Sequence, residues 1–182
     1  MLADLIVRVS IDRASDEAVK LWALASAQYP ADHGLVQDAA TTTIIEVASA
    51  FALNARRALE ILPPDLRFKL RQSRWDGDAD AVGERVADFR DALNRIIHAQ
   101  TLRVVFSAAT PGHASLRDGA LVVPWILAAT DRRELASIDP FALAHAFLYE
   151  VFPVLLKGLR QRATARSTSA AKAKRKPASP SS

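Results

Sequence analysis

The segment 88–100, DFRDALNRIIHAQ, carries the side chains of this sequence that are best suited to chemistry. An imidazole titrates close to neutral pH, so His98 can accept or donate a proton under ordinary conditions. Asn94, four residues earlier, can orient that imidazole or hold a phosphate oxygen. Arg95 or Arg90 can stabilise charge on a phosphoryl group. Together these groups suit metal-independent RNA cleavage, in which a ribose 2′-hydroxyl attacks the adjacent phosphodiester.

A helix predicted over about 81–99 must position these side chains. Its apolar residues recur at steps of three and four, namely Val82, Val86, Phe89, Leu93 and Ile96. On a helical wheel His98 points nearly opposite to this stripe and shares a polar face with Asp91, Asn94 and Arg95. His98 is therefore predicted to lie outside the core. It is either an exposed histidine that suits the carboxyl end of the helix dipole, or a group that transfers protons.

A second polar segment, NARRALE at 54–60, lies on a long helix predicted over 38–62. The apolar stripe of that helix consists of Ile44, Ala48, Phe51, Ala55, Ala58 and Leu62. In one interpretation Arg56 and Glu60, four residues apart, pair on the outer face of the helix. In the other, Asn54 and Arg57 face the His98 helix and complete a polar pocket.

LNRIIH near the end of one helix, with FALNARRALE on a preceding long helix, resembles the HEPN family of helical bundles. The family motif is an Arg, often followed by Asn, then four to six residues and a His. By position, His98 matches the catalytic His and Asn94 matches the polar residue one turn before it. The motif Arg would fall on Leu93, which leaves Arg95 and Arg90 as candidates for its role.

The resemblance covers roughly residues 38–160. Many members of the family are dimeric ribonucleases of toxin–antitoxin or phage-defence systems. The resemblance therefore implies a homodimer that cleaves or binds RNA at facing His98 helices, with no cofactor. The alternative is a non-catalytic helical module that binds a protein partner or a second copy of itself.

The remaining patterns indicate a mainly α fold with a small antiparallel β insertion at about 101–130. Further helices are predicted over 15–28, 65–72 and from Asp139-Pro140 onward, with a strand over 101–106, a hairpin turn at Asp118-Gly119 and an edge strand or bulge at Pro124. We expect one helical bundle domain over 1–162. The last helix, apolar on nearly every side, should be central in the bundle or buried in a dimer.

Charge is divided unevenly along the 182 residues. Eight of the 24 basic residues lie from Lys157 onward and all 20 acidic residues precede it, so residues 1–156 carry about −4. Residues 163–182 are rich in Ser, Ala, Pro and basic side chains and are predicted to be disordered. Their basic residues are either solubilising or a nucleic-acid arm that contacts phosphates. That arm would use Lys172, Lys174, Arg175 and Lys176.

Several kinds of site and location are disfavoured by the sequence. There is no cysteine, and the four histidines lack metal-ligand spacing. The acidic run DGDAD at 76–80 has Ala81 and Ala87 where a calcium loop needs Gly and Glu. No secretory signal is recognised at the start. The apolar run 141–156 is interrupted and shorter than the roughly 20 residues of a membrane span, so we expect a cytoplasmic protein.

Overall fold

The computed structural model describes residues 2–75, 80–110, 114–116, 119–130 and 134–162. Four helices carry more than half of this described part. They are α1 (Leu2–Ser26), α2 (Gly34–Ala58, continued by a 3₁₀ turn at Leu59–Ile61), α3 (Phe89–Ile97) and α4 (Pro140–Arg162). The tail 163–182 and the acidic residues 76–79 lie outside the described residues.

The core forms where α1 packs against α2 and α4, and where α3 packs against α2 and α4. Small buried side chains on α1 and α2 let these two helices approach closely; they are Ala14, Ala18, Ala25, Ala40, Ala48 and Ala55. The ring of Phe51 on α2 lies at the centre of the core. It makes edge-on contacts with Phe89 of α3 at 6.3 Å and with Phe147 of α4 at 5.3 Å. The aromatic contacts therefore fix α3 against two of the long helices.

α4 begins as its sequence predicts. The Asp139 carboxylate accepts a hydrogen bond from the Ala142 N–H at 2.9 Å, and Pro140 occupies the first helical position. A π turn at Phe147–Val151 precedes Pro153, which has no N–H to donate to the carbonyl of Tyr149. Helix α4 is long and apolar enough to span a membrane by length and composition alone. In the fold, 39% of its most apolar stretch is buried.

Among the described residues, five strands form one mixed sheet. They are β1 (Tyr29–Pro30), β2 (Glu84–Arg85), β3 (Thr101–Ala108), β4 (Ala120–Ala129) and β5 (Ala136–Ile138). Strand β4 is central, because β3 pairs along one edge of it while β1 and β5 pair with the two ends of its other edge. Strand β2 extends the sheet by pairing in parallel with β5. The sheet is therefore more than a hairpin inserted into a bundle, and the fold is mixed α/β rather than purely helical.

The predicted bulge at Pro124 is confirmed, whereas the edge position is not. Val105 pairs with Trp125 and Ser107 pairs with Val122, so Phe106 alone opposes the two residues Val123 and Pro124. Although β4 is central, Pro124 falls in the gap between the β1 and β5 pairings, where its missing N–H breaks no bond to either strand.

The helix predicted over 81–99 is wrong in its first half. Gly83 has φ +74°, and both the N–H and the carbonyl of Val82 bond the hydroxyl of Ser137. This backbone turns Glu84–Arg85 into strand β2 beside β5. Helix α3 begins only at Phe89, after the N-cap residue Asp88, whose carboxylate accepts a hydrogen bond from the Asp91 N–H at 3.0 Å.

Three other boundaries also differ from the sequence predictions. The helix predicted from Ser15 already begins at Leu2, since Ile11 and Ala14 continue its buried stripe. No helix forms over 65–72, which is extended instead. The strands β3 and β4 pair antiparallel, but residues 109–119 separate them in the sequence, where the prediction has a two-residue turn. Asp118 lies outside the described residues, and Gly119, directly before β4, has φ +96°.

Candidate functional site

The polar side of α3 carries a row of three side chains, Arg90, Asn94 and His98, at steps of four residues. We call this row the α3 stripe. The opposite side of the helix is buried through Phe89, Ala92, Leu93 and Ile96. His98 is exposed at the end of the helix, where its N–H donates to the carbonyl of Asn94 at 3.0 Å. The predicted orientation of His98 away from the core is confirmed.

Arg56 of α2 reaches across to the stripe. Its Nε donates to Oδ1 of Asn94 at 3.3 Å, a side-chain bond between residues 38 apart in sequence. The bond orients the Asn94 amide so that its oxygen faces Arg56 and its NH₂ group faces elsewhere, available as a donor. Arg56 therefore adds a second guanidinium to the middle of the stripe.

Arg90 has an unusual environment for a cation. Its Nε and Nη2 atoms are shielded from solvent, and within the described part of the chain neither has a hydrogen-bond partner. Burial lowers the pKa of this guanidinium, and the charges of Arg56 and Arg67 lower it further, while Asp88 raises it. Each unsatisfied buried donor costs roughly 1–3 kcal/mol.

An anion would relieve this arrangement. A phosphate oxygen can accept from two guanidinium nitrogens at once and would offset the repulsion among Arg56, Arg67 and Arg90. Because Nε and Nη2 are shielded, the Arg90 side chain must rotate outward to offer them to a ligand. That rotation would break no hydrogen bond at Nε or Nη2, because neither atom bonds a described residue.

Arg95, the other candidate for the motif Arg, is placed differently from its prediction. It does not share the accessible polar face, since its side chain is only 8% exposed. Its Nε donates to Asp91 at 3.1 Å, its Nη2 pairs with Glu84, and its Nη1 donates to the carbonyl of Glu134 at 3.3 Å. One residue beyond Asn94, it points toward β2 and fastens α3 to the sheet.

The polar side chains of α2 near α3 match neither of the two interpretations of the segment 54–60. Arg56 bonds Asn94, so it faces α3 rather than an outer partner such as Glu60. Asn54 donates to the carbonyl of Ala50 at 2.8 Å within its own helix, and Arg57 is exposed. The tail candidates Lys172, Lys174, Arg175 and Lys176 lie outside the described residues.

Sequence reasoning missed Arg67, because 65–72 was predicted as a helix. The Phe89 N–H donates to the carbonyl of Phe68 at 2.9 Å, which brings the neighbouring Arg67 to the first turn of α3. The signal was present in LRFKLR at 66–71, where apolar and basic residues alternate with the period of an extended chain.

Within the described ranges, no group of three or more His, Cys, Asp or Glu side chains could hold a metal ion. Comparisons with known protein families, with curated proteins and with solved structures find no match for this chain.

Proposed function

We propose that this protein is a HEPN-like RNA-binding protein that cleaves RNA at the α3 stripe without a metal ion. The observation that carries the proposal is the Arg90 side chain, whose buried Nε and Nη2 have no hydrogen-bond partner among the described residues. It is aligned on one helix face with Asn94 and the exposed His98. It favours Arg90 over Arg95 for the phosphate-binding role, since the donors of Arg95 already bond Asp91, Glu84 and Glu134.

The α3 stripe would bind one phosphodiester of the substrate and transfer a proton to or from an oxygen beside it. Arg90 and the Asn94 amide would hold the non-bridging oxygens of one phosphodiester. The 2′-oxygen attacks phosphorus, the bond to the 5′-oxygen breaks, and the products are a 2′,3′-cyclic phosphate and a 5′-hydroxyl. His98 would take the proton from the 2′-hydroxyl or give one to the leaving 5′-oxygen. A homodimer with facing α3 stripes supplies a second His98 for the other transfer.

The test compares His98 with another exposed histidine, His33 at the start of α2. Purified protein is incubated with end-labelled RNA in EDTA, and cleavage rates and melting temperatures are measured. We expect His98→Ala to abolish cleavage, Asn94→Ala to slow it by less, and His33→Ala to leave it unchanged, all with similar melting temperatures. Cleavage by His98→Ala at the wild-type rate contradicts the proposed role of His98.

The second candidate function is a non-catalytic module that binds a second copy of the chain. It is favoured by apolar side chains that α1 and α4 leave exposed, including Val19 at 57% and Tyr149 at 60%. Trp22 lies between them, with its ring 5.4 Å from Tyr149. Light scattering at tens of micromolar should give a dimer mass for the wild type and a monomer mass for Val19→Glu. A monomeric wild type contradicts this candidate.

A further inference from the structure

A row of three cations leads along the surface toward the α3 stripe. In the extended segment 66–71 the apolar residues Leu66, Phe68 and Leu70 are half-buried and pack against the core. The alternate residues Arg67, Lys69 and Arg71 are exposed. Because successive side chains of an extended chain point to opposite sides, these three cations share one face. We call them the basic ladder.

Backbone hydrogen bonds fix the direction of the basic ladder. The Leu70 N–H donates to the carbonyl of Ala87 at 2.9 Å, and the Phe89 N–H donates to the carbonyl of Phe68 at the same distance. Lys69 and Asp88 are the antiparallel partners between these bonds. The ladder therefore runs antiparallel to the residues that lead into α3, and its Arg67 end lies beside Arg90.

Charge and spacing along this row suit a linear polyanion. In an extended chain, alternate side chains stand about 6.6 Å apart, which is comparable with the separation of successive phosphates in an extended single strand. Two acidic residues adjoin the ladder in the described part of the chain: Asp65, which precedes it in sequence, and Asp88, whose carboxylate already caps α3.

We infer that the basic ladder binds the backbone of single-stranded RNA, with one cation for each successive phosphate, and delivers the strand to the α3 stripe. The inference rests on the proposed function, because it names the form of RNA that reaches the site. One straight row of cations follows one strand, whereas a duplex presents two backbones across a groove. Sequence preference is not expected from this contact, since phosphates carry no base information.

The test removes the ladder charges and keeps the stripe. The variant carries Arg67→Gln, Lys69→Gln and Arg71→Gln, all at exposed positions. Binding of a labelled twelve-nucleotide single-stranded RNA is followed by fluorescence anisotropy over a range of salt concentrations. If each cation contacts one phosphate, the slope of log affinity against log salt should fall by roughly 2 units.

The matched control neutralises three exposed cations on other elements, with Arg13→Gln, Lys20→Gln and Arg103→Gln, and should keep the wild-type slope. A dinucleotide occupies only the stripe, so a second variant with Lys69→Gln and Arg71→Gln alone, which keeps Arg67 beside Arg90, should cleave it at the wild-type rate while longer RNA is cleaved more slowly.

An unchanged salt slope in the ladder variant would overturn the inference and leave the proposed function standing. So would equal binding of single-stranded and duplex RNA by the wild type. A wild type that neither binds nor cleaves any RNA would overturn both.

Discussion

Two arginines on α3 should respond in opposite ways to the same substitution, Arg90→Met and Arg95→Met. Methionine keeps much of the aliphatic volume of arginine and removes the charge and the donors. At position 90 it removes a guanidinium whose Nε and Nη2 are buried and lack partners among the described residues, beside the charges of Arg56 and Arg67. We expect the free energy of unfolding to rise by about 1 kcal/mol, the lower end of the cost of an unsatisfied buried donor.

At position 95 the same change breaks a buried ion-pair site. Removal of one member of a fully buried pair costs roughly 3–5 kcal/mol. The side chains of Glu84 and Asp91 are 56% and 32% exposed and recover hydration when Arg95 is lost, so the cost is smaller. We expect a loss of about 2 kcal/mol, which also includes the bond to the carbonyl of Glu134.

Thermal melts separate the two outcomes. For a chain of this size 1 kcal/mol corresponds to roughly 2–4 °C, so Arg90→Met should melt a few degrees higher than the wild type and Arg95→Met several degrees lower. RNA binding at 15 °C, where both variants are folded, should be lost in Arg90→Met and retained in Arg95→Met. A strongly destabilised Arg90→Met would refute the absence of partners at Nε and Nη2 of Arg90 among the described residues. Loss of binding in a folded Arg95→Met would refute the assignment of roles.

Two further perturbations have outcomes fixed by the structure. Burial raises the pKa of the Asp139 carboxyl above its ordinary value of 3.8. The folded state therefore binds the carboxyl proton more tightly than the unfolded state does. The stability that this tighter binding contributes is lost as the pH rises through the raised pKa. Asp139→Asn keeps a capping oxygen but does not titrate. The melting temperature of the wild type should therefore rise relative to that of this variant when the pH is lowered from 7 to 4. A difference between the two melting temperatures that does not change with pH contradicts the raised pKa of Asp139. Gly83→Ala should lower the free energy of unfolding by roughly 2 kcal/mol or more. Alanine is strained at this positive φ, and its Cβ would lie 2.1 Å from the carbonyl oxygen of Leu135. Gly34→Ala, with nothing within 4 Å of the added Cβ, is the control and should change the melting temperature little.

The elements that the sequence predicts well are those in which local signals agree with the packing. The long stripe of α2 and the Asp139-Pro140 start of α4 are both observed, since a cap and a period of 3.6 residues specify them locally. The first half of the helix predicted over 81–99 fails because Val82 and Val86 fit a helical stripe by chance. The turn at Gly83 and the bonds from Val82 to Ser137 depend on β5, because Ser137 lies 55 residues after Val82.

The candidate site is predictable in its residue types and not in their partners. The pattern of α3 places Asn94 and His98 on one polar face, as observed. It gives no means of telling Arg90 from Arg95, because the carboxylate of Glu84 comes from outside the helix. Contacts between elements, such as that of Arg56 with Asn94, require the tertiary fold.

Cleavage chemistry can be tested most directly on one pair of substrates. Wild-type protein in EDTA is given a single-stranded RNA and the same strand with every 2′-hydroxyl methylated, and the product ends are analysed. We expect cleavage of the unmodified strand alone, with 2′,3′-cyclic phosphate and 5′-hydroxyl ends, and no cleavage by His98→Ala. Equal cleavage of both strands, or no cleavage of an RNA that the protein binds at the α3 stripe, would contradict it.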